Sequence, residues 1–273
     1  MTFSVLGRDA GTGDLGIAVS SCILAVGRAV PGARPGVGIA AVQARSRRGL
    51  RNSLLDGLAE GTPPAVLVHR AAHAAEDAER QIAVIDVTGT VAADTGPGSF
   101  PVSGHMTGDG FSVQGNMLAS EEVLPAMART VATARGDLAD RLLAALTAGQ
   151  DAGGDLRGRQ SAALLVVSGR PLTDEDDGVR TDLRVDDSGD PVAQLRMLRN
   201  LQRAYDERDY ETLAVFAPEG ARDLYAALAA SRRGDRAAAR AALEAMRSRP
   251  GWAAWLASMA GDARLSAVSH LLG

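Results

Sequence analysis

The chain has 273 residues, 46% of them hydrophobic, one cysteine and a formal net charge of −4. The apolar content suffices for a sizeable core, and the charge argues against nucleic acid or an anionic membrane as the main partner. One cysteine excludes an intramolecular disulfide and any cysteine-cluster metal site, and no apolar run nears the roughly 18–20 residues of a membrane span.

The opening "TFSV" and "LGIAVSS" flank the turn-rich "RDAGTGD", which predicts a hairpin whose first strand begins at residue 2. No basic, apolar leader precedes it, so a cytoplasmic protein is expected. A Gly/Pro/Arg loop is expected over 27–36, then a strand over 37–44. Helices are expected over 49–60 and 63–78, the second started by a proline after Thr62. "QIAVIDV" and "TVAADTG" predict a second hairpin around Thr88–Gly89. The glycine-rich "SGHMTGDG" reads as a loop leading to a strand over 110–118. Helices near 120–134 and 137–149 come next, then strands in "RGRQSAALLVV" and "TDLRVDD". Hairpins separated by pairs of helices disagree with a doubly wound parallel sheet, which would alternate single strands and helices. The pattern predicts an α+β protein, a four-layer α-β-β-α sandwich of mainly antiparallel sheets over residues 1–190. Asp190 and Pro191 then start a helix, and residues 191–273 carry helical patterning alone. They read as a C-terminal helical annex, repeat-like around 234–252.

All 29 basic residues are arginines, so no lysine side chain can serve as a base or Schiff-base former. An amine for catalysis must come from the terminus. Initiator Met is commonly removed before a residue as small as Thr, which would leave Thr2 with an α-amine beside its hydroxyl. That amine, with an ordinary pKa of about 8, is partly a free base near neutrality. Ser4 is expected on the same strand face, about 6.6 Å away, lining a pocket. Gln43 and Asn116, amides at strand ends, suit a developing oxyanion. His105 is placed in the glycine-rich loop before that strand, near the same site. His69 and His73 lack the Glu of a metalloprotease helix and read as a plain helical pair. "GPGS" lacks the Gly-Lys-Ser/Thr of a phosphate loop, and Cys22 reads as a small buried hydrophobe.

Five separated stretches, "TFSVLGRDAGTGDLGIAVSS", "AVGRAVPGARPGVGIAAVQA", "DGFSVQGNML", "RGRQSAALLVV" and "DLRVDDSGDPVAQLR", occur in the order found in the family of domain of unknown function 1028 (DUF1028). The chain resembles that family over roughly residues 2–199, and the helical tail is similar to extensions of some members. Many members carry His or another polar residue at the position of Cys22. The resemblance implies the fold of the N-terminal-nucleophile (Ntn) hydrolases. By that analogy Thr2 is the nucleophile, Ser20 or Ser21 orients it, and Asn116 completes the catalytic group. Arg28 and Arg34 then take the place of a basic residue near the amine and bind substrate together with Ser4, Gln43 and His105. The function so implied is hydrolysis of a small-molecule amide through an acyl-enzyme, with no cofactor and no metal, by a homodimer. The alternative is a non-catalytic protein that binds a small metabolite and recruits a partner through its helical tail.

Overall fold

The computed structural model describes residues 2–45, 48–73, 78–259 and 261–268. The chain divides into two compact units, Met1–Arg196 and Met197–Gly273. The first begins with β1 (Thr2–Arg8) and β2 (Leu15–Ser21), then a one-turn helix α1 (Val26–Ala29) and strands β3 (Pro31–Arg34) and β4 (Gly38–Gln43). Helices α2 (Arg48–Ala59) and α3 (Pro64–His73) lead to β5 (Gln81–Asp86), β6 (Val91–Thr95), β7 (Gly104–Gly108) and β8 (Phe111–Asn116). Helices α4 (Val123–Thr133) and α5 (Leu138–Asp151) precede β9 (Ser161–Val167) and β10 (Val179–Val185).

The strands form two sheets, ordered β10-β9-β2-β1-β8-β7 and β3-β4-β5-β6. Every strand pairing is antiparallel. The protein is thus mixed α/β with antiparallel sheets. Two stretches expected to be loops are ordered elements instead. Residues 27–36 hold part of α1 and all of β3, and the glycine-rich 103–110 holds β7. Both strands are sheet edges, where Pro31 and flanking glycines cost little because one side needs no ladder partner. The helix expected over 63–78 is described from Pro64 as far as His73; residues 74–77 lie outside the described set, and residue 78 is in a turn.

Alternation along the strands explains the core. Leu6, Ile17 and Val19 of the first sheet cluster with Ile39, Ala41 and Ile85 of the second. The intervening Ala40, Val42, Ile82 and Val84 face the other way and pack with Leu54, Leu55, Leu58, Leu67 and Val68 from α2 and α3. On the first sheet, Gly7 and Gly16 lie against Leu138 and Leu142 of α5. A Cβ at Gly16 would sit 2.6 Å from Leu142 Cδ1 and 3.0 Å from Val166 Cγ2.

The second unit contains most of α6 (Pro191–Asp206), which spans the division, then α7 (Tyr210–Phe216), α8 (Glu219–Arg232), α9 (Arg236–Arg247) and α10 (Trp252–Ser258). Its core holds Ala227, Leu228, Leu243, Met246 and Leu256. Asp209 and Asp235 cap α7 and α9 by accepting from Thr212 and Ala238 backbone N–H groups. Burial, with the neighbouring Tyr205, pushes the Tyr225 phenol up to about 12. Among the described residues no helix is long and apolar enough to cross a membrane.

The β1–β2 turn is anchored by Asp9. Its carboxylate accepts from Thr12 N–H and Gly11 N–H, and pairs with Arg141 of α5 at 3.0 Å. The Thr12 N–H above all, with Gly11 N–H, the Thr12 hydroxyl and Arg141, holds this carboxyl below its ordinary value despite burial. A lowered carboxylate pKa adds stability that is complete above the unfolded value of about 3.9 and lost as pH falls through the folded value. Asp9→Asn is therefore expected to cost about 1–2 kcal/mol in urea titrations at pH 7. The deficit relative to the wild type should shrink as pH falls below the unfolded value of about 3.9, and a deficit that stays constant with pH would refute the assignment. Gly16→Ala should cost about 1–3 kcal/mol by overpacking. Combined with Leu142→Ala, its cost should fall below the sum of the single losses, because the two side chains compete for one space.

Candidate active site

Thr2 opens β1, the strand hydrogen-bonded to β2 on one side and β8 on the other. The register sets Thr2 opposite Asn116 and Phe3 opposite Ser20. Residues directly opposite share a face, so Thr2, Ser21 and Asn116 point the same way, toward the second sheet. Thr2 Oγ1 lies 3.1 Å from Ser21 Oγ, both buried. Ser20 points to the opposite face with Phe3, and its hydroxyl donates to the Ser161 carbonyl at 3.4 Å. Of the two adjacent serines, Ser21 is the one beside Thr2.

Behind Thr2 runs a chain of buried amides that joins the sheets. Ser4 Oγ donates to Gln43 Oε1 at 2.8 Å, and Gln43 Nε2 donates to Gln81 Oε1 at 3.0 Å and to the Thr2 carbonyl at 3.4 Å. Asn116 Nδ2 donates to the same Gln81 Oε1 at 2.6 Å. Gln81 Nε2 in turn reaches Gly115 O at 2.7 Å, Gly104 O at 3.1 Å and Thr95 Oγ1 at 3.1 Å. Gln114 Nε2 donates to Ser4 Oγ at 2.5 Å, and Ser112 Oγ to Gln114 Oε1 at 2.7 Å. Every one of these side chains except Thr95 is at most 3% exposed. Ser4 is therefore a buried structural hydroxyl within the chain, and Gln43 anchors the backbone of Thr2.

The remaining sequence candidates separate. His105 Nδ1 lies 2.9 Å from Thr95 Oγ1, so it joins the network one residue away from Gln81. Arg34 pairs with Asp56 of α2 at 2.6 Å, and it sits opposite Gly38, about 16 Å along β4 from Gln43. Arg28 is exposed on α1, and its carbonyl accepts from Arg51 Nη1 at 3.3 Å. None of its described hydrogen bonds reaches the Thr2 cluster. Cys22 is half-buried and not a core residue, because the chain leaves the sheet there. Its N–H donates to Asp155 Oδ2 at 2.9 Å. His69 and His73 stack on α3 with ring centroids 4.1 Å apart, both exposed.

Several residues that bear on the site were not singled out in the sequence. Gln81 and Gln114 are the hubs of the amide chain. Arg80, just before Gln81, is 5% exposed and donates to the Arg45 carbonyl, and Arg45 pairs with Glu79 at 3.0 Å. Asp155 is 4% exposed and bridges to Leu118, two residues beyond Asn116. Its carboxylate also pairs with Arg157 at 3.2 Å. The signal for the two glutamines was their period. Ser112, Gln114 and Asn116 alternate on one face of β8, and Gln81 takes the inward register of Ala83 and Ile85.

The backbone around this end is unusual. Ala44, Val102 and Met117 all adopt left-handed φ values of 66°, 55° and 48°. Ala44 follows Gln43, Met117 follows Asn116, and the Val102 carbonyl accepts from Leu118 N–H at 3.0 Å. A β-branched residue in this region is costly, and such conformations persist where the surroundings enforce them, often at functional sites.

The fold is thus a pair of antiparallel sheets with a polar centre at the head of a central strand. The family described as "Family of unknown function (DUF1028)" matches residues 2–195. The chain belongs to the DUF1028 family. Among solved structures it is similar to protein SPO2555 from Silicibacter pomeroyi, of the same family, at 32% identity and TM-score 0.66, over 74% of this chain and 85% of that one. Two structures of Anbu from Hyphomicrobium sp. strain MC1 give lower scores. The Gly-1 mutant is 13% identical with TM-score 0.37, over 77% of this chain and 100% of that one. The other is 12% identical with TM-score 0.35, over 80% and 99%. Comparison with the curated proteins found no match.

Replacing Gln81 by Leu would remove the acceptor shared by the Gln43 and Asn116 amides and the side-chain donor to the Gly104 and Gly115 carbonyls. The expected cost is about 2–4 kcal/mol in chemical denaturation. A loss under about 0.5 kcal/mol would mean that the amide chain does not hold the two sheets in place.

Proposed function

We propose that this protein is an Ntn-type hydrolase on a four-layer α-β-β-α frame, cleaving a small-molecule amide through Thr2 once Met1 has been removed. The observation that carries the reading is the Thr2 hydroxyl, 3.1 Å from the Ser21 hydroxyl at the head of a central strand. That strand head is fixed from behind by Gln43 and flanked by Asn116. A serine hydroxyl fixes the threonine rotamer but is too weak a base to take its proton. With no lysine in the chain, the α-amine of Thr2 is the amine that can take it, and it is attached to the same residue as the hydroxyl.

In this mechanism Thr2 Oγ attacks the substrate carbonyl carbon while its proton passes to the α-amine, directly or through a water. The C=O π pair moves onto oxygen, where the second Nδ2 hydrogen of Asn116 is available, the first being committed to Gln81. Collapse breaks the C–N bond, and the α-ammonium returns its proton to the departing nitrogen. A water, deprotonated by the same amine, then attacks the Thr2 ester and releases the carboxylic acid. Amine and hydroxyl are both regenerated. Ser21 acts in this scheme as a positioning residue.

The test is a screen over small amides and lactams with defined N-terminal variants. Against any substrate found, Thr2→Ala should lower kcat by several orders of magnitude with folding intact, and Thr2→Ser should retain much more. An N-terminal extension that cannot be processed should harm nearly as much as Thr2→Ala, because it turns the base into an amide. Full activity of the extended protein would overturn the mechanism.

A further inference from the structure

A cavity of about 350 Å³ opens beside the Asn116 end of β8. Its lining combines Phe100, Pro101, Val102, Leu118 and Leu124 with the polar side chains of Ser99, Ser103 and Glu121. This volume falls at the lower end of small-molecule sites, about 300–1,000 Å³.

Three observations make it more than a surface fold. The first is connection. Leu118 N–H donates to the Val102 carbonyl and so joins two walls, while Gln81 binds Asn116 with one end and the Gly104 and Gly115 carbonyls with the other. The cavity and the head of β1 therefore share one rigid frame. The second is backbone strain. Val102, a β-branched residue, is held at φ 55°, and Met117, between Asn116 and Leu118, at φ 48°. Phe100 meanwhile leaves 45% of its surface open rather than joining a core. The third is charge. In a chain with 29 arginines none lines this cavity, and its one ionisable lining residue is Glu121.

We infer that the cavity receives the apolar part of the amide substrate, an aromatic or branched aliphatic group that is uncharged or basic, and that it disfavours an anionic one. The inference rests on the hydrolase reading for its link to Thr2. Phe100, Pro101, Val102, Leu118 and Leu124 supply affinity by apolar area removed from water, Ser99 and Ser103 offer hydroxyls to a polar substituent, and Glu121 supplies discrimination through its charge.

The probes are phenylacetamide and its para-aminomethyl and para-carboxylate derivatives. Binding is measured by calorimetry to the Thr2→Ala protein, and kcat/KM with the wild type. The aminomethyl and neutral compounds should bind more tightly than the carboxylate by roughly twofold to fivefold, the effect of one solvated charge pair. Glu121→Arg should reverse the order of the two charged compounds. Phe100→Ala should weaken all three by about fivefold or more. Both residues are exposed, so their replacement leaves the core untouched. Ordered binding without turnover would sustain the cavity and overturn the hydrolase reading. Turnover indifferent to both variants would do the reverse. Absence of binding, or tighter binding of the carboxylate by the parent protein, would overturn the cavity assignment.

Discussion

The space between the two sheets holds a line of polar side chains that cannot reach water, and the fold works only because they satisfy one another. Gln43, Gln81, Gln114 and Asn116, with Ser4, leave few donors idle. An apolar contact tolerates sliding, whereas each buried amide left unpaired costs about 1–3 kcal/mol. The network therefore fixes the register between sheets more sharply than the neighbouring cluster of Leu6, Ile39 and Ile85 could. It also fixes Thr2, whose carbonyl is one of the acceptors. Stability at this end and placement of the candidate nucleophile come from the same bonds, so neither can be altered alone.

Much of this was legible in the sequence. The two hairpins, the helix pairs and the helical tail follow from periodicity, turn residues and an Asp-Pro helix start. The edge strands β3 and β7 were not, because proline and glycine read as loop while an edge strand needs only one partner. Thr2, Ser21, Gln43 and Asn116 could be picked out by residue type at strand ends. Ser20 and Ser21 could not be told apart without the register, since a shift of one residue exchanges faces. Arg34 drew attention by analogy with a basic residue near the amine, yet an arginine on an edge strand finds the nearest carboxylate, here Asp56 of a helix. Gln81 was hidden by its apolar neighbours. Only three-dimensional pairing shows that its single side chain spans both sheets.

The exclusive use of arginine has a physical side as well. Guanidinium groups stay protonated and bond as forks, so the chain's cations are suited to fixed pairs such as Arg141–Asp9 and Arg180–Asp176 and not to proton transfer. Acid–base chemistry is left to the histidines, the carboxylates and a freed terminus. That narrows where a reaction can be run to the few places where such groups meet a cavity.

The two free margins of the larger sheet are managed in different ways. On β7 the margin is tied inward, His105 meeting Thr95 of β6 so that the sheets close on each other. The β10 margin carries charge. Arg180, Asp182 and Arg184 alternate with Thr181 and Leu183, and Arg180 and Arg184 pair with the nearby Asp176 and Asp182. A strand arriving from another molecule would have to displace these charges before it found a backbone partner. The sheet is thus sealed by a staple on one side and by electrostatic cladding on the other, and it stays finite at six strands without closing into a barrel.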